Sequence, residues 1–185
     1  MNAPSNIVQI LSNDQLREIF YQGQLDKLYQ QCFSEPPYCE YFSPGKVWEI
    51  MTSYIKHGVF FISHDQAGQA TGFVASIPLK DEPEVLALAK PFGFNEEEDW
   101  YAADLGVAKS ARRQGLGSRL SLTMVDNTPA KHILLRTSKL NLASRQLNEA
   151  VGFRLVPGLT QVVRQERQNG KTEDDERIFL VYDKK

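Results

Sequence analysis

The stretch Leu105–Val125, LGVAKSARRQGLGSRLSLTMV, decides the fold. Leu105 to Val107 read as the end of a strand. Basic residues follow, then Gly115-Leu116-Gly117, then a helical pattern with Leu116, Leu120 and Met124 on one face. From Lys109 to Arg119 there are four basic residues, Lys109, Arg112, Arg113 and Arg119, and no acidic one. A helix start exposes unpaired N–H groups and carries roughly half a positive charge. Glycine lets backbone approach phosphate oxygens with no Cβ in the way. Each hydrogen bond to a charged oxygen contributes about 1.5–3 kcal/mol. Donors from Gln114 to Ser118 therefore read as a diphosphate site.

Two common phosphate motifs fail on named residues. A P-loop needs Gly-Lys-Ser/Thr, but Leu116 follows Gly115 and Ser118 follows Gly117. A dinucleotide fingerprint needs a third glycine and an acid about 20 positions on. Leu120 stands in the glycine's place, and Leu134 and Leu135 in the acid's.

Working outward, DWYAADLGV (99–107) is a strand and HILLRT (132–137) an unbroken apolar strand of the kind covered on both faces. VFFIS and ATGFVASIPL form a hairpin over 59–79. Upstream, Leu25, Leu28, Tyr29, Cys32 and Phe33 predict one helix over 14–33, with Cys32 in the core. Ser43 caps a second helix with Pro44 at its first position. The segment 81–98 holds a short apolar helix and reads as an insertion or lid. Downstream come a helix from Asn141 to Val151, ended by Gly152, and two strands joined by a polar loop with Asn169-Gly170. This order predicts an α/β fold: a mixed, mostly antiparallel sheet with helices on both faces. No interior linker interrupts it, so residues 1–185 read as a single domain.

Composition sets bounds. Of 185 residues, 42% are hydrophobic and 24% charged, values ordinary for a globular chain. The net charge of −2 gives no reason to expect nucleic acid or an anionic membrane surface as partner. No apolar run approaches the roughly 20 residues that span a bilayer, and the opening MNAPSNIVQILSND does not read as a signal peptide. With two cysteines, Cys32 and Cys39, and three scattered histidines, no metal pattern emerges, and a reduced, cytoplasmic location is expected.

Arg112-Arg113-Gln114-Gly115-Leu116-Gly117 resembles the Arg/Gln-x-x-Gly-x-Gly signature of the GCN5-related N-acetyltransferases (GNAT superfamily). A second stretch, NLASRQLNEAVGFRLV (141–156), resembles that family's next motif through Asn141, Leu147, Glu149, Gly152 and Phe153. The two motifs cover roughly 99–156, and the hairpin at 59–79 agrees with the family's layout. The resemblance implies an acyl-CoA N-acyltransferase fold. Acceptor-side helices would lie at about 14–57, a coenzyme-binding core at about 59–156 and terminal strands at 153–185. It implies acetyl-CoA as cosubstrate, without metal, and acetyl transfer to a primary amine of a small molecule or peptide by direct attack.

Carried over residue by residue, the resemblance places the pantetheine arm on the backbone of Leu105 and Val107. The diphosphate falls on Gln114, Gly115, Leu116, Gly117 and Ser118, flanked by Arg112 and Arg113, with Lys109 near further phosphates. Asn141 would bond the arm from the other side and Ser144 reach the phosphates. A backbone N–H near Leu105 is the expected oxyanion donor. Many family members carry a proton-donating Tyr just before the motif's Glu, where this chain has Asn148. A thiol with a pKa near 8.5 leaves as thiolate without much help, so the substitution does not imply inactivity. Tyr101 is the expected base, through water or directly, with Asp99 second; Asp104 falls on the opposite strand face unless a bulge shifts the register.

For the acceptor, Glu35, Tyr38, Glu40, Tyr41 and the acids of NEEED (95–99) are candidate lining residues and predict a cationic amine. Two further readings stand beside this one. One is an acyl-CoA-binding module without turnover, acting as sensor or partner subunit. The other is an acyltransferase with a different acyl group or an oxygen acceptor. A monomer or homodimer is expected.

Overall fold

The computed structural model describes residues 6–167 and 170–184, except the side chains of Gln165 and Glu166. Residues 1–5 of the amino-terminal stretch and Asn169 of the expected final turn lie outside the described residues. Among the described residues seven strands form one sheet: β1 (Asn6–Gln9), β2 (Val59–His64), β3 (Ala70–Pro78), β4 (Asp99–Val107), β5 (His132–Ser138), β6 (Arg154–Glu166) and β7 (Thr172–Asp183). Their spatial order is β1-β2-β3-β4-β5-β7-β6. Every neighbouring pair is antiparallel except β4 with β5. The mixed, mostly antiparallel sheet follows the sequence reading.

The helices are α1 (Asn13–Tyr21), α2 (Leu25–Ser34), α3 (Pro44–His57), α4 (Pro83–Ala89), α5 (Leu116–Asn127) and α6 (Leu142–Val151). Alternation along the strands sends side chains to two cores. On one face Phe60, Ile62, Phe73 and Leu134 pack against Leu16, Phe20, Leu28, Met51 and Val85 of α1 to α4. On the other, Phe61, Val74, Ile133 and Leu135 meet Leu116, Leu120 and Met124 of α5. The run Ile133-Leu134-Leu135 is buried on both faces, as its continuous apolar character predicts.

Three local expectations need correction. The single helix over 14–33 is two, broken between Tyr21 and Leu25. Gln24 takes a left-handed φ of 55°, and a Cβ on Gly23 would lie 2.7 Å from the Ile19 carbonyl oxygen. The β2–β3 turn docks on the break, where the Ala70 amide donates to the Gly23 carbonyl at 2.9 Å. β1 went unread because only one of its four residues is even half-buried, so it shows no apolar alternation. The segment 81–98 is not a lid: Val85 and Ala89 are fully buried in the core, and none of its residues lines the cleft described next.

Candidate active-site cleft

β4 and β5 pair only from Asp99–Ala102 to His132–Leu135. Beyond that, β5 stays with β7, from Arg136 against Phe179 to Ser138 against Arg177. β4 stays with β3, setting Leu105 against Val74 and Val107 against Gly72. The two parallel strands therefore part, and a cleft of about 640 Å³ opens along the gap, within the usual range for a ligand pocket. It runs from Tyr29, Tyr101 and Asp104 past Leu105 and Val107 to Arg113, Gly115 and Ser118, with Ser144 and Asn148 on its wall.

At the phosphate end, Gly115 is the N-cap of α5, with φ 76° and open space where a Cβ would stand. No side chain caps this helix, so the amides of its first turn, at residues that line the cleft, are left for a ligand. Gly115, Leu116, Gly117, Ser118 and Arg113 all line it. The Gln114 side chain does not; its Nε2 donates back to the Ser110 carbonyl at 2.8 Å. Gly117 has another reason to be glycine: its Cβ would meet Leu147 Cδ1 at 2.5 Å, where α5 packs on α6.

Arg112 lines the cleft but is occupied from within the chain. Its Nε donates to the Val107 carbonyl at 3.0 Å and its Nη1 to Glu35 Oε2 at 2.8 Å. Lys109 Nζ lies 2.7 Å from Glu35 Oε1. Partial burial of Glu35 raises its pKa, but hydrogen bonds from Lys109 and Arg112 outweigh that and hold the carboxyl below its ordinary range. The Cys32 thiol also reaches the Val107 carbonyl, and burial pushes it up to about 11, which suits a core residue and not a nucleophile. Asn141 caps α6, accepting from the Ser144 amide at 3.0 Å, while its Nδ2 donates to Tyr38 Oη at 3.3 Å. Asn148 is buried as a strap: Nδ2 donates to the Ser144 carbonyl and Oδ1 accepts from Ser121 Oγ of α5.

At the other end the bulge noted as a condition is present. Asp104 pairs with Ala75 and Ala102 with Ser76, leaving Ala103 extra. The shift brings Asp104 to the helix face that Tyr101 also occupies. Tyr29 Oη donates to Asp104 Oδ2 at 2.8 Å, and Tyr54 Oη donates to the same oxygen. Burial nevertheless dominates and raises the Asp104 carboxyl to about 6. Burial likewise pushes the Tyr101 phenol up to about 12, against the opposing pull of Arg136, so it stays protonated near neutrality. Tyr101 lines the cleft with its phenol protonated. Asp99 does not reach the cleft. Its carboxylate accepts from the Asn95 amide at 2.7 Å and faces His132 Nδ1 at 2.8 Å, holding the start of β4.

Of the expected acceptor lining, Glu35, Tyr38 and Glu40 do line the cleft, with both acids facing cations of the chain. Glu35 is held as described, and Glu40 sits 3.5 Å from Arg177, whose guanidinium lies over the Tyr38 ring. Tyr41 is 69% exposed and outside the cleft. Glu96 and Glu98 pair with Lys90 and Lys131 away from it. The sequence reading passed over Tyr29, Tyr54 and Arg136. The two tyrosines carry only a core signature at helical spacing, and Arg136 sits inside an otherwise apolar strand. Among the described residues no three His, Cys, Asp or Glu are grouped to hold a metal, and no helix is long and apolar enough to cross a membrane.

The profile of the Acetyltransferase (GNAT) family matches residues 23–153. The chain therefore belongs to the GNAT acetyltransferase family. Solved structures share its fold at low identity. A ribosomal-protein-alanine N-acetyltransferase from Brucella melitensis superposes with a TM-score of 0.69 at 12% identity, over 96% of this chain and 99% of that one. The ribosomal-protein-S18-alanine N-acetyltransferase of Escherichia coli gives 0.63 at 13%, over 97% and 94%. A Bacillus subtilis acetyltransferase in complex with CoA gives 0.57 at 14%, over 98% and 100%. A search of curated proteins found no match.

Proposed function

We propose that this protein transfers an acetyl group from acetyl-CoA to a primary amine by direct attack. One observation carries the reading: a single cleft joins an uncapped helix start at Gly115 to a half-buried carboxylate at Asp104, through a gap between diverging parallel strands. The amides of residues 114–118 take the diphosphate, and Arg113 adds charge. The backbone of Leu105 and its neighbours pairs with the pantetheine arm, with Asn141 and Ser144 opposite. An N–H near Leu105 meets the developing oxyanion.

The acceptor enters beside Asp104. An alkylammonium has a pKa of about 10.4, some four units above that carboxyl, so the proton does not transfer in the ground state. The neutral fraction of the amine is what attacks: its lone pair bonds to the carbonyl carbon, the nitrogen becomes acidic, and Asp104 takes a proton from it, directly or through one water. The thiolate then leaves without needing an acid, which is how Asn148 is tolerated. Tyr101 supplies a hydrogen bond and no proton: a phenol at about 12 is a far weaker acid than the thiol it would serve.

Asn148 is also what favours the second reading, a CoA-binding module without turnover, because its amide is fully engaged in bracing α5 against α6. Calorimetry with CoA and acetyl-CoA, followed by free-thiol release with mixed amines, tests both. Binding with amine-dependent thiol release supports the enzyme. Binding alone supports the module, and no association with CoA or its esters overturns both.

A further inference from the structure

Arg136 is the first residue of β5 beyond its last β4 partner, since Ala102–Leu135 ends the pairing. Strand alternation puts it on the face of Leu134, toward the core that holds Tyr101, Tyr29 and Tyr54. It is half-buried and lines the cleft. Its hydrogen-bond partner is neutral: Nη1 donates to Gln161 Oε1 at 2.5 Å, and the neighbouring Tyr101 phenol feels its charge. Among the described residues no carboxylate forms an ion pair with it. Glu82 senses its charge, yet burial of Glu82 outweighs that help and keeps its carboxyl above the ordinary range. Arg113, also without an ion pair among the described residues, is exposed at the phosphate end of the cleft; the other two cleft arginines are paired. Arg177 has Asp175 at 2.7 Å and Glu40 at 3.5 Å, and Arg112 has Glu35 at 2.8 Å.

A partly desolvated guanidinium facing a cleft with only neutral partners is costly to keep. Its planar fork matches a carboxylate or a similar oxyanion in two parallel bonds. Asp104, which suits an amine, lies on the same sheet face across the widening gap. The two ends of the acceptor site thus carry opposite charges. Of the acids expected to line it, Glu35 and Glu40 do so but face cations of the chain, and those of 95–99 lie elsewhere.

We infer that the acceptor is an amine that also bears an oxyanion, a carboxylate or its like, and that Arg136 is the specificity-determining residue that receives it. This rests on the acetyl-transfer reading above and names its substrate class. Amino acids and aminophosphonates fit; the corresponding amides keep the amine and lose the charge. The test is thiol release from acetyl-CoA with each amino acid and aminophosphonate, set against the amino acid's amide. The expected kcat/KM ratio favours the charged form by on the order of 10- to 100-fold, the size of one lost charged hydrogen bond. R136Q brings that ratio toward one, the loss falling on KM, while R136K, a charge without the fork, keeps an intermediate ratio. Amides turned over as well as the acids by the parent protein overturn the inference, as does a ratio unmoved in both variants. Where R136Q fails to fold, the parent ratio and R136K decide. Where nothing in the panel turns over, calorimetry on CoA-saturated protein decides: binding of an acid but not its amide supports the inference, and any other result overturns it. Failure of CoA itself to bind is a different result and removes the acetyl-transfer reading.

Discussion

At Asp104 a carboxyl gives up its hydration, and two tyrosine hydroxyls replace only part of it. Its pKa rises from 3.8 to about 6 on folding. The sign follows from linkage: this group's contribution to stability is full below the unfolded value and is lost as pH rises through about 6. The difference is about 3 kcal/mol. Chemical denaturation of the parent and D104N between pH 4 and 7.5 should show the parent losing ground by roughly that amount while D104N stays flat. Equal slopes would mean the carboxyl is not strained by burial. As the base, Asp104 acts only when ionised, so kcat should climb with pH through about 6. D104N should lower kcat by about 10²- to 10⁴-fold and erase that limb. Y101F should keep the limb, since a protonated phenol does not titrate there; a Y101F profile that goes flat would return the base to Tyr101. The sequence hid Asp104 for a definite reason. Strict alternation from Tyr101 sends it to the wrong face, and the one-residue bulge at Ala103 that corrects this leaves no signature in residue type.

Elements were legible where their signal is local. The strand Asp99–Val107 matches at both ends and the helix starts at the glycine turn as read, because apolar run, glycine and helical spacing follow one another directly. Ser43 caps α3 by accepting from the Lys46 amide, again a contact three residues long. The break at Gly23 was not legible, since what makes it is a turn docked from residues 68–70. Gly117 shows how two demands coincide in one element. Its place in the phosphate turn was readable, but its contact with Leu147 of α6 was not. G117A should force the far end of the Leu147 side chain aside and cost about 1–3 kcal/mol, the usual penalty of overpacking. Calorimetry should show weaker CoA binding as α5 tilts. G117A/L147A should recover most of the binding, because the obstructing atoms are gone. A double variant no better than G117A would place the requirement at the phosphate instead.

Across the whole molecule, charges chosen far apart in sequence decide what the cleft accepts. Glu35 follows α2, yet its carboxylate holds Lys109 at 2.7 Å and Arg112 at 2.8 Å beside the phosphate turn. Glu40 does the same for Arg177 near the end of the chain. Local charge counting sees acids before α3 and bases before α5; it cannot see that they cancel. That is why the charges were legible in the sequence and their pairing was not. The Glu35 contact ties the acceptor-side loop to the coenzyme side, and it competes with any phosphate for the same two cations. E35Q keeps the shape and removes the competing charge. Its affinity for CoA should rise about two- to fivefold at low salt, the scale of a partly exposed ion pair, and the gain should shrink as salt screens the freed cations. Acceptor KM should worsen in the same variant, because the loop carrying Tyr38 and Glu40 loses its tether. Weaker CoA binding by E35Q would show instead that the carboxylate positions Lys109 and Arg112 for the phosphates and does not compete with them.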